Sequence, residues 1–292
     1  MSNSKPFTIL QKAFIEMGEN RNKQLEEIII KAYGKANLKV QYKRHAYLAG
    51  GPGIGKTFAV NFLAKKYKIN LIKIQTIASM NALAVQLAVA AYMSPDKIIY
   101  ISIDDCDSLF TKAEGLSVMK GILDNDRNMF TWNKNLSSQI AGYENSKHPE
   151  DKLKGEALRH FQPVGGIGVE IPTDNMRFII LSNRFLAPSN PLPNTQIKID
   201  ESAIRDRVDY KDCDFDRDEQ WGWAAYITLK ANIFNLSISQ KRIILIWMYD
   251  NWAALPSVSM RAINDLAEDM VNYPDEYSDK WGFRLIPSHK RQ

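Results

Sequence analysis

Eight consecutive residues constrain this chain more than anything else in it: Gly50-Gly51-Pro52-Gly53-Ile54-Gly55-Lys56-Thr57. They satisfy G-x-x-x-x-G-K-[ST] at every fixed position. Glycines keep side chains out of the way, so successive N–H groups can turn inward around an anion. The run His45 to Ala49 before them is short and apolar, which reads as a buried strand. After them, Phe58, Phe62, Leu63 and Lys66 are spaced along an amphipathic helix. Strand, tight loop and helix form the context that this motif needs, because the helix N-terminus adds donors and a positive dipole end. At average residue frequencies the pattern arises by chance in roughly one chain in a hundred of this size. It predicts a triphosphate site built from Gly51, Pro52, Gly53, Ile54, Gly55 and the helix start at Phe58. Lys56 would reach the β- and γ-phosphates, and the Thr57 hydroxyl would hold Mg²⁺.

Further strands follow at Leu71–Ile74, Ile98–Ile103 and Arg177–Leu181, with a weaker one within Val208–Phe215. A helix is expected from Met80 to Met93. Strands alternating with helices imply a parallel sheet covered on both faces. After Asp218 three helical patterns remain, Trp221–Phe234, Gln240–Trp252 and Met260–Tyr273, the last capped by Ser257 or Ser259. Residues 1–36 read as two helices, one stopped by Gly18 and one by Gly34. The expected fold is α/β, a P-loop αβα sandwich with a five-stranded parallel sheet. Its expected parts are an arm at 1–36, a core at 37–216 and a helical lid at 217–292. Residues 131–172 are polar and lysine-rich and read as a long loop, functional or mobile, whose Gly165, Gly166 and Gly168 mark a turn.

The strand Ile98–Ile103 runs into Asp104-Asp105-Cys106-Asp107. A carboxylate at the C-terminal end of a neighbouring parallel strand faces the same crevice as the phosphate loop. Asp104 would bind a water on Mg²⁺, and Asp105 would polarise the attacking water. Carboxylates beside a triphosphate repel it unless a metal lies between them. Composition narrows the rest. Two cysteines exclude a disulfide scaffold, and four scattered histidines argue against a His-rich metal site. No apolar run reaches the length needed to cross a bilayer and no signal core opens the chain, so the default is a cytoplasmic protein. Net charge is +5 with a pI near 9.0, basic but short of a dedicated nucleic-acid clamp.

Taken together, these motifs resemble the AAA+ superfamily of P-loop ATPases, and within it the AAA-type modules. Ser94 to Leu109 is similar to that family's second nucleotide motif, and the resemblance covers roughly residues 40–270. It implies ATP and Mg²⁺ as ligands. It gives Asn183, at the end of the fourth strand, the role of orienting the lytic water. It makes Arg207, with Arg205 as second choice, an arginine finger that reaches the γ-phosphate bound by an adjacent subunit. It makes Arg261 a γ-phosphate contact within the same subunit. Where the family usually has Glu, this chain has Asp105. Its carboxylate sits about 1.5 Å farther back, and misplacement on that scale costs about a hundredfold in rate, so slow hydrolysis is expected.

A finger acting in trans implies a ring or spiral of like subunits, six being usual in the superfamily. The leading expectation is a ring-forming ATPase that remodels a protein or a protein–nucleic acid complex, with an unidentified protein substrate or adaptor as partner. A DNA-associated ATPase, such as a helicase loader or initiator, is the alternative favoured by the basic pI. A nucleotide-gated assembly protein that hydrolyses poorly is the alternative favoured by Asp105. The segment Thr76 to Met80 lacks the aromatic–apolar–Gly triplet with which threading motors grip polypeptide, which weakens an unfoldase reading.

Overall fold

The structure is a computed structural model that describes residues 5–39, 41–75, 77, 79–190, 195–277, 281 and 285–286. In chain order the elements are α1 (Ile9–Ala32), β1 (Ala46–Ala49), α2 (Lys56–Lys66), β2 (Leu71–Gln75), α3 (Met80–Met93), β3 (Ile99–Asp104), a 3-10 turn (Asp107–Phe110) and α4 (Ala113–Ile122). They continue with β4 (Met129–Trp132), α5 (Ser137–Glu144), α6 (Pro149–His160), β5 (Val169–Pro172) and β6 (Met176–Ser182). The last are α7 (Gln196–Arg207), β7 (Asp209–Asp212), α8 (Arg217–Lys230), α9 (Ile238–Asn251) and α10 (Met260–Asn272). Two compact units emerge. Residues 27–49 and 60–212 form a sheet unit, and residues 1–26, 50–59 and 213–292 form a loop unit.

The sheet unit is built on five parallel strands in the order β2-β3-β6-β1-β7. β6 is buried at six of its seven positions, the continuous apolar run expected of a strand covered on both faces. Register brings three strand ends level: Ala49 of β1 pairs with Ser182 of β6, and Asp104 of β3 pairs with Leu181 of β6. The core packs Leu83, Leu87, Ile101, Phe178 and Ile180, with the Tyr47 and Phe110 rings edge to face at 5.4 Å. α3 starts where Ser79 Oγ accepts from Ala82 N–H, and Ser94 ends it. The loop before it, expected to lack a gripping triplet, includes Thr76 and Ala78, which lie outside the described residues.

Residues 131–172 depart from the long loop expected of them. β4 and β5 form an antiparallel ribbon from Met129↔Pro172 to Trp132↔Val169, and α5 and α6 stand between its strands. The misreading has a local cause. α6 is strongly polar: its buried residues are only Gly155, Ala157 and Leu158, beside a half-buried Leu153, too short a stripe to register as a period. The glycines do mark a turn: Gly166 N–H donates to Pro163 O at 2.9 Å, with Gly165 at φ +72°. A Cβ on Gly168 would come 1.9 Å from Trp132 O, so the ribbon closes only around glycine.

α1, whose residues up to 26 belong to the loop unit, is one unbroken helix through Gly18, not two. Gly18 is a crossing point: its Cβ would lie 2.2 Å from Gly222 C of α8, and a Cβ on Gly222 would lie 1.9 Å from Phe14 O. Backbones that close admit no side chain between them. Aromatic rings fill the flanks of the crossing, with Phe14 against Tyr249 and Trp252, and Trp221 against Tyr249 and Phe7. Arg21 donates to Glu219 through Nε (2.9 Å) and Nη2 (2.6 Å). α8 and α9 open with capping boxes, Asp216/Glu219 and Ser237/Gln240, and Ser259 caps α10. Among the described residues no helix is long and apolar enough to cross a membrane.

Candidate nucleotide site

The phosphate loop follows β1 directly and belongs to the loop unit. Gly53 and Gly55 adopt φ +80° and +85°, conformations open to glycine and strained for other residues. Beside Gly51 a Cβ would meet nothing within 4 Å, so the mouth of the loop is clear. The buried Lys56 ammonium donates to Gly50 O at 2.5 Å and Gly51 O at 3.0 Å. It lies within the curl of the backbone, where a cation balances phosphate charge. α2 begins at Lys56, so Lys56, Thr57 and Phe58 form its first turn.

Two helices of the same unit pack on this loop. A Cβ on Gly55 would sit 1.6 Å from Cη2 of Trp223 in α8, and one on Gly53 would sit 2.9 Å from Cβ of Ser259. Trp223 is buried, and its Nε1 has no hydrogen-bond partner among the described residues. Sequence reasoning missed Trp223, whose bulk lies against a glycine 168 positions away in the chain. Arg261 is the second residue of α10, exposed and two positions from Ser259.

In the sheet unit, Asp104 and Asn183 lie at level strand ends. Asp104 is half-buried, and its Oδ1 accepts from Asp105 N–H at 3.1 Å. Asp105 is exposed and left-handed at φ +53°, one of four non-glycine residues with positive φ among those described. Asp107, which carried no role in the sequence reading, ties the two strand ends together. Its carboxylate accepts from the Ser182 hydroxyl and, at 3.3 Å to each oxygen, from Asn183 N–H. The signal for it was present, a third acid at the spacing of one 3-10 turn.

Both candidate fingers are engaged within their own chain. Arg207 Nη1 donates to Ala203 O at 2.8 Å, and Nη2 meets Asp124 at 3.4 Å. Burial pushes the Asp124 carboxyl up, but the Asp126 N–H and the Arg207 guanidinium more than offset it and leave its pKa below the usual range. Arg205 donates to Leu186 O at 2.9 Å and lies 4.1 Å over the Tyr210 ring.

These donors suit a triphosphate with a hard divalent cation. The loop supplies an amide-lined, side-chain-free curl with a buried ammonium, and Thr57 in the loop unit and Asp104 in the sheet unit each carry an oxygen of the kind that Mg²⁺ accepts as a ligand. None of the curated protein sequences matches the chain. The family model for "ATPase family associated with various cellular activities (AAA)" matches residues 46–199, just over half of the 292 residues. That span takes in β1, the phosphate loop, the acidic end of β3, the end of β6 and the first turn of α7. The chain belongs to the AAA family of P-loop ATPases.

Proposed function

We propose that this chain binds ATP with Mg²⁺, hydrolyses it slowly and assembles into a ring or spiral, six subunits being the expected number, that remodels a protein or a protein–nucleic acid complex. The observation that carries the reading is the phosphate loop, with its two left-handed glycines and the buried Lys56 held in its curl. Backbone amides of 51–58 would bind the phosphates, and Lys56 would exchange its carbonyl partners for β- and γ-phosphate oxygens. Thr57 and Asp104, the latter through water, would hold the metal. Mg²⁺, when bound, neutralises charge as the β-γ anhydride breaks. Asp105 would accept the proton of the lytic water, and Asn183 would orient that water. Arg207, or Arg205 in its place, would complete a neighbour's site, and Arg261 its own. Residues 217–292 would act as the lid, residues 37–216 as the core and the start of the chain as an arm.

Asp105 also favours a second reading, a nucleotide-gated assembly protein with turnover near background, since its carboxylate is one methylene short of the usual Glu. Calorimetry with ATP and Mg²⁺ tests the shared foundation. The wild type should give a saturable heat of binding and Lys56→Ala none, with phosphate release lost in the same variant. A well-folded wild type that binds neither ATP nor ADP would end both readings. Binding with no phosphate release at any protein concentration would leave the second reading alone.

A further inference from the structure

We propose that Glu201 is a positioning residue that locks the Asn183 end of β6 to α7, the helix carrying both candidate fingers. The state of one nucleotide site would then reach the arginine offered to the next. The proposal rests on the roles given above to Asn183, Arg205 and Arg207.

The Glu201 side chain is only 6% exposed, in the middle of a helix. A carboxylate that deeply buried must be paired and fully hydrogen-bonded. It is: Oε1 accepts from Arg184 Nε at 2.9 Å and from Arg184 Nη2, and Oε2 accepts from Ala187 N–H at 3.3 Å. Arg184 is the residue after Asn183. Its N–H donates to Ser182 Oγ at 3.0 Å, and that hydroxyl donates to Asp107. Tyr47 OH of β1 donates to Arg184 O at 3.0 Å. Asn183 is thus held on one side by Asp107 of the acidic strand end, and on the other by a residue clamped to α7.

The clamp continues toward the fingers. One turn after Glu201, Arg205 donates to Leu186 O and stacks on Tyr210, whose OH accepts from Leu186 N–H at 3.3 Å. Segment 184–187 therefore meets α7 at three points: Arg184 and Ala187 on Glu201, and Leu186 on Arg205. One helix position before Glu201, buried Asp200 pairs with Lys120 of α4 at 2.6 Å and accepts from Gln196 at 3.0 Å. α7 cannot slide on one partner without disturbing the other. Asp107, Ser182, Arg184 and Glu201 form an unbroken chain of hydrogen bonds from the hydrolytic strand end to the finger helix. Such a contiguous, charge-assisted path is one physical route by which coupling between two sites can travel.

A buried ion pair that only stabilised the fold would lower the melting temperature and leave chemistry in the folded fraction alone. The test is Glu201→Gln, which keeps size and an acceptor for Ala187 N–H but removes the charge. Arg184→Lys, which keeps the charge but not the two-pronged contact, stands in if that variant fails to fold. ATP affinity by calorimetry should stay within about threefold of wild type, while kcat at saturating ATP and high protein concentration falls about tenfold or more. Arg184→Met and the double variant should fall no further than Glu201→Gln, because one pair carries the effect. Unchanged kcat in Glu201→Gln and Arg184→Lys, with Asn183→Ala and Arg207→Ala impaired, would overturn this proposal and leave the site reading standing. Full activity in Asn183→Ala and Arg207→Ala would overturn the site reading itself. Loss of ATP affinity in proportion to kcat would assign Glu201 a purely structural role.

Discussion

Asp105 has its backbone at φ +53°, a region that costs most L residues about 1–2 kcal/mol and that Asp and Asn tolerate through their short polar side chains. The position therefore separates two demands, on backbone shape and on proton acceptance, and one substitution distinguishes them. Asn keeps the tolerance for a left-handed backbone but accepts no proton. Asp105→Asn should melt with the wild type and bind ATP equally well, while kcat drops by about 10²–10⁴, the usual contribution of a general base. Wild-type phosphate release in that variant would remove Asp105 from the chemistry. The left-handed turn itself is invisible in the sequence, because Asp-Asp-Cys-Asp fits an ordinary acidic turn equally well. Trp223 against Gly55 is hidden for a different reason: the contact joins positions far apart in the chain, and neither residue type announces the other.

At the level of elements, the five parallel strands with α2 and α3 could be read from apolar runs and spacing, whereas α4, β4, α5, α6 and β5 could not. β7 was the weakest of the five strands, and it is indeed short and flanked by charge, Asp209-Tyr210-Lys211-Asp212. Two of the misreadings have opposite causes. α6 was missed because its buried stripe is too short. α1 was cut in two because glycine usually ends a helix, whereas Gly18 lets α8 approach. Those two explanations of Gly18 predict opposite signs for Gly18→Ala. Helix propensity alone would stabilise the protein by about 1 kcal/mol. A Cβ placed 2.2 Å from the Gly222 backbone must push the two helices apart, and overpacking of that kind costs about 1–3 kcal/mol. Gly18→Ala should therefore lower the melting temperature and the urea midpoint. A rise in either would show that the helices do not cross where the structure places them.

At the scale of the whole molecule, the α/β class and the phosphate loop were legible because phosphate chemistry demands particular residue types at fixed spacings, whereas Asn183, Arg205, Arg207 and Arg261 could be named only through the family resemblance. Chain order suggests arm, core and lid in succession, yet residues 50–59 group with 1–26 and the C-terminal helices, through Gly53 on Ser259 and Gly55 on Trp223. No local pattern encodes that grouping, which depends on which distant surfaces fit. Assembly is a further level again. Arg205 and Arg207 are satisfied by Leu186, Tyr210, Ala203 and Asp124 of their own chain, so serving a neighbour means giving up bonds worth roughly 1–3 kcal/mol each. On the proposed finger role, the charge of a γ-phosphate bound next door would be the partner that offsets the loss. Finger engagement should then depend on both nucleotide and protein concentration. Specific ATPase activity should rise with protein concentration, more steeply than in proportion to subunits added, and level off once the assembly is complete. Arg207→Ala should bind ATP like the wild type yet show no such rise, and adding it to wild-type protein should depress activity because each variant subunit silences a neighbour. Activity per subunit that is flat from nanomolar to tens of micromolar protein, or an Arg207→Ala variant with full turnover, would place the whole active site within one chain.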